Sequence, residues 1–186
     1  AGVMGTGIAQ IALLSGHEVY LFDQNAQAVH QAQQKLQDIF EKLRQKGKIS
    51  IEQVQDANQH CHLVDDIHQL KACDLILEAI IENLSIKQNL MQQLEEIVSQ
   101  HTILASNTSS LSITEIAAKC QYPQRIVGYH FFNPVPLMKV VEVIEGLHTD
   151  HHIIDQLIQL TRRMGHRPVQ TKDTPGFIIN HAGRAY

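Results

Sequence analysis

The chain has 186 residues, 44% hydrophobic and 18% charged, with a formal charge of -4 when its 12 histidines are neutral. That length can bury a sizeable core in one domain with the start of another. The weak negative charge and scattered basic residues exclude a broad nucleic-acid face, and no apolar run approaches the ~18 residues needed to span a membrane.

Gly2-Val3-Met4-Gly5 reads as the back half of a G-x-G-x-x-G turn, with Gly2 and Gly5 as its second and third glycines and the first glycine expected upstream. Ile8, Ile11, Ala12, Leu13 and Leu14 give the following helix an apolar face, Gly16 ends it, and residues 17–23 read as a strand. Backbone N–H groups at the start of that helix suit a pyrophosphate. Asp23 stands about 20 residues after the glycines, where a carboxylate accepts hydrogen bonds from an adenosine ribose and repels a 2′-phosphate, which favours NAD over NADP. The alternative for Asp23 is a helix cap or a turn aspartate.

A helical stripe of Val29, Leu36, Ile39, Phe40 and Leu43 predicts a helix over 25–46 that stops at Gly47. Ser50 to Gln53 resembles a capping sequence for a short helix. Short strands are expected at 63–64 and 74–80, the second apolar enough to be covered on both faces, as in a parallel sheet. A helix over 85–99 should turn Leu90, Leu94 and Ile97 inward, with Glu82 and Lys87 as an ordinary first-turn pair. The strand over 102–105 runs into Ser106, Asn107, Thr108, Ser109 and Ser110, at the end of an open α/β sheet where ligands bind. These residues also suit a cap series, with Ser112 or Thr114 capping a helix near Ile113; both readings can hold.

Two apolar runs within 128–144 flank Pro134 and Pro136, a strand, turn, strand pattern. Folding about Pro136 sets His130 opposite Glu142, close enough for a hydrogen bond. A carboxylate on one ring nitrogen leaves the other able to take a proton, the arrangement of a general base; a cross-strand ion pair or a satisfied core histidine would look the same. Residues 150–164 predict an amphipathic helix ended by Gly165, and 168–171 a last strand, broken at 173–176 before a new helix. His148, His151 and His152 lack a matched ligand set, so no metal is expected. Cys61, Cys73 and Cys120 are odd in number and widely spaced, which argues against disulfides and suits a reducing cytoplasm.

The run His130 to Met138 with Glu142, the Ser106 to Ser110 cluster and the segment Asp173 to Phe177 fall in one order. In that order they resemble the NAD-binding domain of L-3-hydroxyacyl-CoA dehydrogenases, short-chain 3-hydroxybutyryl-CoA enzymes included, over essentially the whole chain. The resemblance implies an α/β fold of Rossmann type, doubly wound, with a mostly parallel sheet and a C-terminal antiparallel hairpin. Residues 1–174 would form this domain, and 175–186 would open a helical second domain that completes the substrate cleft and pairs subunits as a homodimer.

The implied reaction is NAD-dependent oxidation of (S)-3-hydroxyacyl-CoA to 3-ketoacyl-CoA in acyl-CoA degradation. His130 would be the base and Glu142 its orienting group, with Ser109 and Asn180 on the substrate oxygens. Gly2, Met4, Gly5, Asp23, Glu82, Lys87, Ser109 and Asn133 would meet the cofactor, and Lys46 a coenzyme A phosphate. His181 departs from the family pattern, where Arg is more usual. Two alternatives stand beside this reading: an NAD enzyme acting on a sugar acid or free hydroxy acid, and a non-catalytic NAD-binding fragment.

Overall fold

The computed structural model describes residues 1–174 and Phe177. Its contacts group the chain into two units, Ala1–Gln69 with Asn133–Met138, and Leu70–Phe132 with the chain from Lys139 onward.

The first unit contains α1 (Val3–Leu14), β1 (Val19–Leu21), α2 (Ala26–Gln45), α3 (Ile51–Gln59) and β2 (Cys61–Leu63). Two of its three helices stop where glycine permits a left-handed turn: Gly16 at φ 77° follows α1, and Gly47 at φ 66° follows α2. Asn25 caps α2, and Ser50 with Gln53 forms the expected capping box on α3. Leu13, Leu36 and Phe40 are almost fully buried in the core of this unit. β1 and β2 run parallel, Val19 opposite Cys61. The strand expected at 17–23 is therefore trimmed to three residues, and the one expected at 63–64 lies two residues earlier. Val64 is left to close the ladder, its N–H donating to Leu21 O at 3.0 Å.

The second unit holds β3 (Leu75–Glu78), α4 (Leu84–Ile97), β4 (Ile103–Ser106), α5 (Ile113–Ala117), β5 (Ile126–Phe131), β6 (Val140–Glu145), α6 (His151–Arg163) and β7 (Arg167–Lys172). These strands form one sheet in the order β3-β4-β5-β6-β7, parallel except for the antiparallel β5–β6 pair. This is the Rossmann-like α/β arrangement with a hairpin toward the C-terminal end. Helix α6 packs on β6 and β7 through Ile153, Ile154 and Leu157, as its apolar stripe requires. Tyr129 is buried, and its hydroxyl meets Thr161 Oγ1 at 2.7 Å, which in turn donates to Leu157 O at 2.7 Å. No buried hydroxyl is thereby left without a partner in this strand-to-helix contact.

Gly128 faces Ile144 across the β5–β6 ladder. A Cβ added to it would lie 2.7 Å from Ile144 Cβ and 2.9 Å from Ile113 Cδ1, so both side chains occupy the space that any larger residue needs. Gly128→Ala should overpack this junction and destabilise the protein by about 1–3 kcal/mol. Urea denaturation of the full-length protein checks this; an unchanged midpoint would show that the two isoleucines yield freely.

Candidate active site

The antiparallel register places His130 opposite Glu142. His130 Nδ1 donates to Glu142 Oε2 at 2.8 Å, and Glu142 is 0% and His130 6% exposed. A buried carboxylate is costly unless met by a donor, so the pair fixes the imidazole tautomer and leaves Nε2 to accept a proton. Phe132 packs at 4.4 Å from the His130 ring, and Phe177 lies at 6.1 Å. Glu142 sits on a strand paired on both sides, to β5 and β7, which fixes its backbone.

The polar loop after β4 adjoins this pair. Pairing of β4 with β5 ends at Ser106 and Gly128. Beyond it Asn107 Oδ1 accepts from Phe131 N at 2.8 Å, replacing the missing rung and tying the loop to the residue after His130. Glu82 Oε1 gathers the loop, accepting from Thr108 Oγ1 at 2.5 Å, Ser109 N at 3.0 Å, Ser110 N at 3.2 Å and Ser110 Oγ at 3.1 Å. Burial pushes the Glu82 carboxyl up, but hydrogen bonds from Thr108, Ser109 and Ser110 and the Lys87 charge outweigh it and hold the group below the ordinary range.

Lys87 is not the exposed first-turn lysine that its spacing suggests. It is 1% exposed, and its Nζ donates to both carboxylate oxygens of Glu78 at 2.9 and 2.8 Å. Glu78 is invisible as a partner in sequence because it closes an apolar strand. The available signal was the charge itself, since an acid in a covered strand requires a cation.

In the first unit, no side chain caps α1, whose start follows Gly2. A Cβ on Gly2 or Gly5 would meet nothing within 4 Å, whereas one on Gly7 would press on Val135 at 3.0 Å. Packing therefore explains Gly7 but not Gly2 or Gly5, which leave open space beside the first-turn amides. Asp23 Oδ1 accepts from Asn25 N at 2.9 Å, and its Oδ2 lies 2.8 Å from the Ala1 nitrogen, beside the glycine turn. An uncapped helix start and a carboxylate at a strand end are what a dinucleotide requires.

Residues 1–174 match the family described as 3-hydroxyacyl-CoA dehydrogenase, NAD binding domain. The chain belongs to this family. NAD is the cofactor of the domain, and the first unit's glycine turn and Asp23 fit it. A 3-hydroxyadipyl-CoA dehydrogenase of Escherichia coli K12 is 42% identical over 186 residues, all of this chain and 39% of that protein. A probable 3-hydroxybutyryl-CoA dehydrogenase of Bacillus subtilis is 41% identical over 180 residues, 97% of this chain and 63% of that protein. The crystal structure of 3-hydroxybutyryl-CoA dehydrogenase from Escherichia coli K12 matches with a TM-score of 0.98 at 43% identity, covering 100% of this chain and 39% of that one. The chain thus spans less than two thirds of the length of each of these relatives.

Within this NAD-binding domain the second unit brings together His130, Glu142, Ser109, Glu82 and Lys87 through the contacts given above. Met4 lies half-buried in the first turn of α1, and Asn133 is exposed in the first unit. Lys46 is the exposed C-cap residue of α2, where a cation also suits the helix dipole. Asn180, His181 and the helix expected after Phe177 lie outside the described residues. His148, His151 and His152 are exposed, and His151 Nδ1 lies 3.3 Å from Glu145. Among the described residues no helix is long and apolar enough to cross a membrane.

Asp173 is a site-supporting residue that sequence reasoning missed. Its carboxylate accepts from Ser112 Oγ at 2.7 Å, Ile113 N at 3.0 Å and Thr114 N at 2.8 Å, sharing the capping of α5 with Ser112. Burial raises its carboxyl, but the hydrogen bonds from Thr114, Ser112 and Ile113 lower it further, below the ordinary value. A carboxyl depressed in the folded state stabilises above its unfolded pKa, near 3.9, and loses that contribution as pH falls through the folded value. Asp173→Asn should lower Tm at pH 7 by roughly 2–4 °C and flatten the loss of Tm below about pH 4. Calorimetry from pH 7 to pH 3 tests both; a parallel pair of curves would remove Asp173 from this role.

Proposed function

We propose that the chain is the NAD-binding domain of an enzyme that oxidises (S)-3-hydroxyacyl-CoA to 3-ketoacyl-CoA in acyl-CoA degradation. The observation that carries this reading is the buried 2.8 Å hydrogen bond from His130 to Glu142. The match of the whole chain to hydroxyacyl-CoA dehydrogenases supports the choice of substrate.

Oxidation of a secondary alcohol needs a base for the hydroxyl proton and donors for the developing charge on oxygen. His130 Nε2 takes the proton, and Glu142 holds the ring in place and stabilises the imidazolium that results. Bound NAD supplies the acceptor for the hydride that leaves C3. Ser109 and Asn180 hydrogen-bond the substrate oxygens. Asn133 and Glu82 serve the nicotinamide half of the cofactor, Lys87 acting there through its ion pair with Glu82; Gly2, Met4, Gly5 and Asp23 serve the adenosine and pyrophosphate half, and Lys46 a coenzyme A phosphate. Residues 1–174 form the cofactor domain, the extent of the family match, and 175–186 open a helical domain through which two subunits pair. Three unpaired cysteines suit a cytoplasmic enzyme.

In the full-length protein, His130→Gln should lower kcat by about 10²–10⁴-fold, with NADH affinity within about twofold of the parent. Glu142→Gln should act in the same direction and less severely. Steady-state kinetics with acetoacetyl-CoA and an NADH titration check this, and loss of NADH binding in His130→Gln would make the histidine structural. Turnover should be far greater on acetoacetyl-CoA than on free acetoacetate; equal rates would point to a free-acid dehydrogenase.

A further inference from the structure

Glu78 and Lys87 are buried charges with side chains 2% and 1% exposed. Their two mutual hydrogen bonds are supplemented by Ile80 N and Ser106 Oγ, both of which donate to the Glu78 carboxylate. A buried ion pair is weak evidence for stability, because removing two charges from water costs about as much as their attraction returns. Its connections give a better account of why it is there.

Beside the backbone bond from Asn107 N to Glu78 O at 2.9 Å, two routes lead from the Glu78 side chain to the loop after β4. In the first, Lys87 Nζ lies 3.5 Å from Glu82 Oε2, and Glu82 Oε1 holds Thr108, Ser109 and Ser110. In the second, Ser106 Oγ donates to Glu78 and accepts from Thr108 N at 3.2 Å. Both end on the backbone that carries Ser109, whose hydroxyl lies 3.5 Å from Glu82. The loop's hydroxyls and N–H groups hold Glu82 Oε1, and the buried ammonium beside Oε2 adds a second point that restricts the rotamer.

We infer that Glu78 and Lys87 are positioning residues for Ser109, with Glu78 as the buried anchor from which both routes start. This rests on the reading of Ser109 as a substrate contact. It gives Lys87 a different task from the cofactor contact that family resemblance implies, because its ammonium is directed at Glu78 and Glu82 and almost wholly covered. A displacement of about 1 Å at a reacting group can cost about 10²-fold in rate, so a residue that touches no substrate can still govern turnover.

The test uses the full-length enzyme with Glu78→Gln, Ser109→Ala, the two combined, and Glu78→Gln with Lys87→Met. Glu78→Gln should lower kcat/KM for acetoacetyl-CoA by about 10–100-fold, change NADH affinity less than about fivefold, and raise deuterium uptake in the segment 106–112. In the Ser109→Ala background the same change should cost less than about twofold more, because both act through one hydroxyl. Adding Lys87→Met to Glu78→Gln removes a buried ammonium that has lost its buried carboxylate, so Tm should recover while kcat/KM stays low. Multiplicative losses for Glu78→Gln and Ser109→Ala, or recovery of activity together with Tm, would reduce the pair to a structural role. A parent enzyme inactive on acetoacetyl-CoA would overturn the substrate reading instead, and unchanged exchange at 106–112 in Glu78→Gln would overturn the positioning role whatever the substrate.

Discussion

A carboxylate taken fully out of water has to be met by a donor, and Glu142 is met by His130. The bond exists only in one strand register. A slip of one residue between β5 and β6 would turn His130 to the opposite face and bring Tyr129 or Phe131 to its place. That register is held by features away from the pair itself. Gly128 leaves room for Ile144 and Ile113, Tyr129 bonds Thr161 on α6, and Asn107 takes over the ladder beside Phe131. The chemistry attributed to one imidazole therefore depends on packing two positions along the strand.

The loop after β4 solves a related problem with charge instead of register. Asn107 N still donates to Glu78 O of β3, but past it Glu82 accepts from two backbone N–H groups while Ser106 and Thr108 side chains satisfy others. Against its burial, those donors, Thr108 and Ser109 foremost, together with the Lys87 charge, hold the Glu82 carboxyl below the ordinary range. Asp173 does the same for the start of α5. In both places a carboxylate from a distant element orders a short polar segment that has too few apolar residues to order itself.

What could be read from the sequence was local, or could be reached by counting. The opposition of His130 and Glu142 follows from their equal distance from Pro136, and the helix ends at Gly16, Gly47 and Gly165 follow from the backbone freedom of glycine. The capping box at Ser50 spans four residues. By contrast, the Glu78–Lys87 pair, the Glu82–Ser109 contact and the Asp173 cap join residues 9, 27 and up to 61 positions apart. Nothing in local periodicity separates such pairs from solvated surface charges. Helix α1 shows the same limit at small scale: Thr6 and Gln10 are buried on it although its apolar stripe predicts neither. Thr6 is admitted because its hydroxyl bonds back to Gly2 O at 2.9 Å.

The glycines divide by cause, and the division separates structure from ligand. Gly7 and Gly128 are small because Val135, Ile144 and Ile113 already fill the space where a side chain would stand. Gly2 and Gly5 are small with nothing beside them. Neither has the positive φ that would demand glycine on conformational grounds, as Gly16, Gly47 and Gly165 do. Gly2 is the N-cap of α1, a position glycine suits, whereas Gly5 lies inside the first turn, where glycine is less stable than alanine. In the proposed cofactor role, the missing side chains let a pyrophosphate reach the first-turn amides directly.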